Sequence, residues 1–150
     1  MMPTVRDLKP EDAPALTALY GEYDWWADRE VDRVRQALAE TAVAVGVEDD
    51  GDLVASARVL TDFTYYATVY DVIVAADCRG EGVGVTLLDG VVDHPDLQDV
   101  PGLTLLCRRG LIPYYESVGF ELFDREVDVP EGGSEELVRM IYERDDDTAE

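Results

Sequence analysis

The sequence predicts one α/β domain, and three observations lead to that prediction. Extended stretches rich in β-branched residues alternate with stretches in which apolar residues recur every three to four positions. No internal repeat or linker divides the 150 residues, a length that suits a single domain. Leu, Ile, Val and Phe account for 41 residues, which is enough to form a core despite a formal net charge of −22.

The elements of the first half follow from periodicity and from helix-start and turn signals. Pro10-Glu11-Asp12 is typical of a helix start, and Asp49-Asp50-Gly51-Asp52 is a strong hairpin signal between two apolar runs. The predicted elements are a strand at 4–6, helices at about 10–20 and 31–38, and a hairpin of strands at 42–47 and 53–60.

The second half is predicted by the same signals. His94-Pro95 is expected to end a helix and to leave His94 exposed. The predicted elements are strands at 68–75 and 103–107, a helix over 83–92, a short helix over 113–118, a strand from Gly119 and a last strand at 137–142. The polar residues from about 144 to 150 are expected to form a disordered acidic tail.

The charge balance excludes some classes of partner. With 34 acidic against 12 basic residues, the chain would repel the phosphates of nucleic acid and of an anionic membrane surface. Eleven of the basic residues are Arg and only Lys9 is Lys, a bias that resembles proteins of extreme halophiles. An acidic mesophile protein is the alternative. In molar salt the Debye length falls to about 3 Å, which would screen the self-repulsion.

The sequence favours a cytoplasmic protein. It contains no run of about 18 apolar residues that could span a membrane, and its N-terminus has no apolar signal-peptide core. Cys78 and Cys107 are too few for a disulfide framework or a zinc pattern, so both are expected to be free, inert thiols.

One segment points to a ligand. Arg79-Gly80-Glu81-Gly82-Val83-Gly84 lies between a predicted strand and a predicted helix, where free backbone N–H groups favour an anion such as a phosphate. The segment is not a P-loop, since Val85-Thr86 replaces the required Lys-Ser/Thr, and its glycines do not have the dinucleotide-binding spacing. A glycine-rich helix start that binds nothing is the alternative.

A second motif makes the first one specific. R-x-x-G-x-G at 79–84 matches the pyrophosphate loop of the GNAT superfamily of acyl-CoA-dependent N-acetyltransferases, and Tyr114-Tyr115-Glu116-Ser117-Val118-Gly119-Phe120 resembles the later signature of that family. The resemblance covers about residues 3–142. It implies a mixed, mostly antiparallel sheet of about six or seven strands, flanked by about four helices and splayed at the strand that binds the cofactor.

The resemblance also implies that acetyl-CoA is the co-substrate and that no metal is used. The pantetheine arm would pair with the backbone of Ile73 and Val74, and the Val74 N–H is the candidate donor to the thioester carbonyl. The residues that would hold the pyrophosphate are Arg79, Gly80, Glu81, Gly82, Val83 and Gly84. Glu81 would have to point its carboxylate away from the phosphates.

Tyr115 matches the family tyrosine that acts as general acid toward the CoA sulfur, with simple packing as the alternative, while Tyr114 is expected to face the core. An alkyl ammonium has a pKa near 10, so its proton needs an acceptor. Asp71 is the candidate base, and Asp62 and a water relay compete with it. An acyl-cysteine intermediate is disfavoured because the family transfers the acetyl group directly in a ternary complex.

After the strand that precedes the short helix, the family often has an Asn and, three residues later, an Ala. This sequence has Arg108 and Leu111 at those positions. Arg108, or Arg109, is a candidate ligand for a CoA phosphate, with a surface ion pair as the alternative. On the acceptor side, Tyr23, Trp25 and Trp26 could hold an ammonium by cation–π contact or could pack a helix corner.

The sequence therefore predicts an N-acetyltransferase that acts on a primary amine of a small molecule or a peptide. A non-catalytic acyl-CoA-binding sensor or partner module of the same fold is the alternative. A homodimer is possible, and neither a nucleic acid nor a membrane is expected as a partner.

Overall fold

A computed structural model describes residues 3–144. The predicted acidic tail therefore lies outside the described residues, apart from its first member. The strands are β1 (Thr4–Asp7), β2 (Val43–Asp49), β3 (Asp52–Thr61), β4 (Ala67–Val74), β5 (Thr104–Leu105), β6 (Glu126–Asp128) and β7 (Ser134–Glu136). The helices are α1 (Ala13–Tyr20), α2 (Val31–Glu40), α3 (Val83–Val92) and α4 (Ile112–Ser117).

Five strands form the main sheet in the order β1-β2-β3-β4-β5. The first three contacts between neighbouring strands are antiparallel, and β4 pairs with β5 in parallel. The predicted mixed, mostly antiparallel sheet with four helices is confirmed. The parallel pair arises because α3 crosses over between β4 and β5, as such a connection must.

The β2–β3 hairpin has the turn that its sequence predicts. Asp50 and Gly51 both have positive φ, at 58° and 87°, which is the backbone of a type I′ turn. This turn twists in the same sense as the strands, so it pairs β2 with residues 52–59 of β3, with one shift of register between Val47 and Glu48. Residues 54–57 of β3 are all buried, and helices cover both faces of the sheet there.

The carboxyl-terminal part differs from the prediction. β5 has two residues instead of five, the segment from Gly119 is irregular, and β6 and β7 form a separate two-stranded sheet. The expected last strand at 137–142 is not formed, and its apolar side chains are exposed, up to 87% at Met140. An apolar pattern indicates a strand only if backbone partners are available, and the pattern cannot show whether they are.

The prediction that His94 is exposed is wrong. His94 is buried after the end of α3, its Nδ1 accepts the Asp96 backbone N–H at 3.1 Å, and its Nε2 lies 2.8 Å from Asp7 Oδ1. Because Nδ1 is an acceptor, Nε2 carries the proton and donates to Asp7. His94 therefore ties the end of α3 to β1 and has a structural role. Within the described residues, no helix has the length and apolarity needed to cross a membrane.

Candidate active site

The sheet opens along one edge of β4. β5 pairs with β4 only at Thr68 and Val69, whereas β4 continues to Val74. Residues 70–74 therefore face no partner strand on that side among the described residues, and we call this side the open edge. The splay that the sequence predicts is confirmed. Its cause is the shortness of β5, which turns away after two residues.

The backbone of Val74 faces the open edge. The Ala75 N–H donates to the Val54 carbonyl of β3 at 2.8 Å, so the groups of Val74, one residue earlier, point the other way. The Val74 carbonyl accepts the Tyr23 hydroxyl at 2.5 Å from that side. By the same alternation the N–H and C=O of Ile73 face Ser56 of β3, so Ile73 has no backbone group for a ligand strand and contributes a buried side chain.

A β-bulge lies just before this segment. The register between β3 and β4 shifts between Ser56 and Arg58, which are paired with Ile73 and Tyr70, so two residues of β4 oppose one of β3. Asp71 in the bulge has a φ of 55°, a conformation that Asp tolerates better than most residues. The bulge determines where the Asp71 carboxylate points.

The glycine-rich loop leads into α3 through left-handed backbone. Gly80 and Gly82 have φ of 79° and 83°, and a Cβ on either residue would meet nothing within 4 Å. Glycine is thus required there by the backbone angle, since there is room for a side chain. Gly82 is the N-cap of α3 and no side chain caps the helix, so the N–H groups of its first turn lack intrahelical acceptors. This is an anion-binding geometry.

Tyr23 connects the open edge to this loop. While its hydroxyl donates to Val74, the same oxygen accepts the Arg79 Nε–H at 3.0 Å, and the Arg79 guanidinium lies 4.8 Å from the ring centre. The sequence suggested that Tyr23 contacts the acceptor. The structure places it between the strand edge and the glycine-rich loop, where it orients Arg79.

The third glycine of the loop has a different role. A Cβ on Gly84 would lie 2.5 Å from the Tyr114 hydroxyl, so Gly84 permits α4 to pack against the start of α3. The Tyr114 hydroxyl is buried without a hydrogen-bond partner among the described residues. Burial raises the pKa of Tyr114 to about 12. The expectation that Tyr114 is a packing residue agrees with this position.

We expect the Tyr114→Phe variant to be as stable as the wild type or more stable, by up to about 1 kcal/mol, because it removes a buried hydroxyl that forms no hydrogen bond. Urea denaturation of the two proteins measures the difference. A loss of more than about 1 kcal/mol would show that the hydroxyl has a bonding partner in solution.

Tyr115 is the buried member of the pair, with 7% of its surface exposed. Its ring packs edge-on against Tyr114 at 4.8 Å and Phe120 at 6.0 Å. Burial, with smaller contributions from Tyr114 and Cys107, raises the pKa of Tyr115 well above its usual value. The phenol is therefore protonated at neutral pH and is a hydrogen-bond donor.

Asp71 forms the centre of an ionic cluster. Its Oδ2 accepts Arg29 Nη1–H at 2.9 Å and Arg58 Nε–H at 2.9 Å, and the Tyr20 hydroxyl lies 3.5 Å away. Burial raises the pKa of Asp71, but the hydrogen bonds and charges of Arg29 and Arg58 outweigh it and hold the pKa below the usual value. Such a carboxylate is a weak proton acceptor, which weighs against the base predicted for Asp71.

Asp62 lies in the exposed loop between β3 and β4. Its Oδ1 accepts the backbone N–H groups of Tyr65 at 2.7 Å, Thr64 at 2.9 Å and Tyr66 at 3.0 Å. The bonds from Tyr66, Thr64 and Tyr65 lower the pKa of Asp62. This carboxylate organises the loop, and all three of its hydrogen bonds are local.

Two of the predicted acceptor-side aromatics have a ring face covered by an arginine of the chain. The Arg29 guanidinium lies 4.6 Å from the Tyr20 ring centre and 5.6 Å from that of Trp26, and Arg79 covers Tyr23. Trp25 is 64% exposed and packs against Trp26 and Tyr23. Sequence reasoning named these rings but did not anticipate that Arg29 would cover Trp26 and that Arg79 would cover Tyr23.

The remaining candidates lie at the surface or are free thiols. Arg108 and Arg109 are exposed at the start of the turn before α4, where they can reach solvent ligands. Cys78 and Cys107 are free, and desolvation together with the charge of Asp77 raises the pKa of the Cys78 thiol. A raised pKa disfavours the thiolate, so Cys78 is a poor nucleophile.

The sheet opens beside an uncapped, glycine-rich helix start, and a buried tyrosine lies on the next helix. This arrangement is typical of an acetyltransferase fold, and solved structures agree. A protein from Xanthomonas campestris pv. campestris described as belonging to the GNAT family is 29% identical, with a TM-score of 0.65 over 85% of this chain and 96% of its own. Ribosomal-protein-alanine N-acetyltransferase from Brucella melitensis is 20% identical with a TM-score of 0.68, over 85% and 98% of the two chains, and shows the fold alone. The chain belongs to the Acetyltransferase (GNAT) family, whose profile matches residues 4–120.

The curated relatives are longer than this chain, and the matches cover only part of them. Serotonin N-acetyltransferase 2 of Oryza sativa subsp. japonica is 30% identical over 63% of this chain and 49% of its own length. The uncharacterized N-acetyltransferase ycf52 of Porphyra purpurea is 25% identical over 63% and 57%. The chain thus spans about half the length of the curated relatives it matches.

Proposed function

We propose that the protein is an N-acetyltransferase that moves an acetyl group from acetyl-CoA to a primary amine by direct attack in a ternary complex. One observation carries the proposal: the open edge of β4 runs into the uncapped first turn of α3, and Tyr23 hydrogen-bonds to both Val74 and Arg79 at the junction. A strand edge suits an extended amide-bearing arm, and the helix start suits a diphosphate.

The residues at this junction fit acetyl-CoA. The free Val74 N–H faces the open edge, and Arg79 with the N–H groups that follow Gly82 can neutralise the diphosphate. Glu81 is exposed, so its carboxylate can remain in solvent. Acetyl-CoA supplies an activated thioester. The chain supplies a hydrogen-bond donor at Val74 for the charge that develops on the carbonyl oxygen, and a phenol at Tyr115 for the departing sulfur.

The acceptor nitrogen starts as an ammonium, loses one proton to become a nucleophile and loses a second after it attacks, while the CoA sulfur leaves as a thiolate that can take up a proton. As the new C–N bond forms, the C–S bond breaks and the sulfur takes the electron pair. Because Asp71 is engaged by two arginines and Asp62 by its own loop, a water relay is the better first acceptor for the amine proton. Tyr115 donates to the sulfur, and the acyl group passes through no cysteine.

The acidic surface, with a single lysine, supports a further proposal that the protein works in the salt-rich cytoplasm of a halophile, so reactions belong in molar KCl. Release of the free thiol from acetyl-CoA in the presence of a panel of amines tests the activity. Turnover with at least one amine is the expected result. Tight binding of acetyl-CoA without turnover of any amine would instead favour the sensor or partner module.

We expect Gly82→Ala to weaken acetyl-CoA binding by about tenfold, because an L-residue at a φ of 83° costs roughly 1–2 kcal/mol and the helix start must shift to relieve it. Isothermal titration with CoA measures the effect. Gly102→Ala is the matched control, since Gly102 has an ordinary φ and open space around it. Equal effects of the two substitutions on binding would show that the loop is not part of the binding site.

A further inference from the structure

A cleft of about 480 Å³ lies between the α1–α2 region and β3, and we call it the arginine cleft. Its charged and aromatic lining consists of Tyr20, Asp28, Arg29, Glu30, Arg33 and Arg58. Three of the eleven arginines of a chain with a net charge of −22 therefore line one cavity. No hydrophobic requirement explains this concentration, because only Val34 and Ala37 supply apolar lining.

The deepest part of the cleft carries an excess positive charge. Asp71 is the shared partner of Arg29 and Arg58, and one carboxylate neutralises only one of two guanidinium groups. The Arg58 side chain is 17% exposed and that of Asp71 is 11% exposed, so solvent screens this charge only in part. The acidic lining residues Asp28 and Glu30 are exposed and lie at the solvent side.

Both guanidinium groups keep unused donors. Arg58 spends Nε and Nη2 on Asp71 and Nη1 on the Thr41 hydroxyl, and Arg29 directs Nη1 and Nη2 to Asp71. Each guanidinium carries five N–H bonds, so each retains donors that no described residue accepts in these contacts. A carboxylate or phosphate oxygen satisfies such donors in a charge-assisted, often bidentate geometry.

The orientation of Arg29 is set before any ligand arrives. Its guanidinium stacks on Tyr20 and Trp26, and the pairing with Asp71 fixes its plane. Preorganised donors lose little side-chain entropy on binding. The same arrangement disfavours an ammonium group in the deep part of the cleft, because two cations already occupy it.

The cleft is close to the proposed reaction centre. Asp71, which contacts both arginines, precedes Val74 by three residues in β4, a separation of about 10 Å along a strand. An acceptor of modest length can therefore place one end among the arginines and the other at the open edge. This argument rests on the proposed acetyltransferase function.

We propose that the arginine cleft binds a carboxylate or phosphate group of the acceptor, so that the acceptor is an amine with an anionic group at its other end. Arg33, which also lines the cleft, extends the anion site outward along α2. The cleft determines substrate class, whereas the loop at 79–84 serves the cofactor.

The test compares amines that differ only in the distal group: butylamine, 1,4-diaminobutane, 4-aminobutyrate and 3-aminopropyl phosphate, each with acetyl-CoA. We expect kcat/KM for the carboxylate or the phosphate to exceed that for butylamine by at least about tenfold, the ratio that one charge-assisted pair of hydrogen bonds supplies. The better of the two anions identifies the group. In Arg58→Gln the ratio should fall toward unity.

Arg35→Gln is the matched control. It also removes one positive charge, but Arg35 lies on α2 and pairs with Asp32 outside the cleft. It should keep the preference. A second readout needs no turnover: succinate and inorganic phosphate should raise the melting temperature of the wild type and not that of Arg58→Gln. Equal or better turnover of butylamine or the diamine overturns the inference and leaves the acetyltransferase function intact. Absence of turnover together with absence of acetyl-CoA binding overturns the function itself.

Discussion

Tyr115→Phe is expected to lower kcat by roughly a hundredfold while changing the KM for acetyl-CoA little, the lower end of the range for loss of a general acid. The lower end applies because a thiol has a pKa near 8.5, so CoA can also depart as a thiolate. Burial keeps the phenol protonated, so the hydroxyl acts as a donor throughout the neutral range. Phe fits the same edge-on packing against Tyr114 and Phe120, so the fold should remain.

Steady-state kinetics with the best amine measures this effect, and Tyr114→Phe is the control because it removes the neighbouring hydroxyl on the same helix. The raised pKa of Tyr115 predicts that the wild-type rate does not fall on the alkaline side from ionisation of this phenol until the pH is well above 10. A Tyr115→Phe enzyme within about threefold of the wild type would assign Tyr115 to packing.

Asp71→Asn is expected to lower the free energy of unfolding by about 2 kcal/mol, because it leaves two guanidinium groups facing a neutral amide. The loss is smaller than for a fully buried pair, since the Arg29 side chain is one-third exposed and partly solvated. Asn also tolerates the left-handed φ of 55° at the bulge, so the backbone should be retained. Urea denaturation at neutral pH measures the change.

Asp32→Asn is the matched control. Asp32 pairs with Arg35 at 2.7 Å, but the Asp32 side chain is 90% exposed. The substitution should therefore change the free energy of unfolding by close to zero. Equal stabilities of the two variants would show that the cluster does not stabilise the fold. If Asp71→Asn keeps its stability but loses the acidic limb of the rate profile, Asp71 is the general base after all.

The lowered pKa of Asp71 also gives the sign of its pH dependence. In the unfolded chain this carboxyl titrates near 3.8, and in the folded chain it titrates lower. Its contribution to stability is therefore complete above about pH 5 and is lost progressively as the pH falls through the unfolded and then the folded pKa. Asp71→Asn should remove this part of the acid-induced loss, and Asp12 beside Arg6, which also has a lowered pKa, should retain its own part.

The two charge roles in this chain are spatially separate. The acidic surface accounts for the net charge, while the basic residues that we propose as ligand-binding groups lie at Arg79 and in the arginine cleft. A protein with so negative a surface that uses anionic substrates needs such local exceptions, and arginine provides them because its fork matches carboxylate and phosphate oxygens.

Local signals predicted most of the amino-terminal fold. The Asp50-Gly51 turn, the Pro10 helix start and the apolar spacing of α3 each describe interactions within a few residues, so a single sequence contains them. The loop at 79–84 was likewise predictable, since its glycine positions encode backbone angles. The strand expected at 137–142 was not, because its formation depends on a partner strand far away in the chain.

The sequence alone determined the fold class, the family resemblance and the position of the glycine-rich loop at 79–84, because these depend on periodicity and on motifs of a few contiguous residues. Only the tertiary structure showed that Tyr23 joins Val74 to Arg79, that Ile73 faces β3, and that Asp71 gathers Arg29 and Arg58. These contacts join residues 13 to 56 positions apart. Their geometry follows from a β-bulge and from helix packing on the sheet, and neither leaves a local pattern in the sequence.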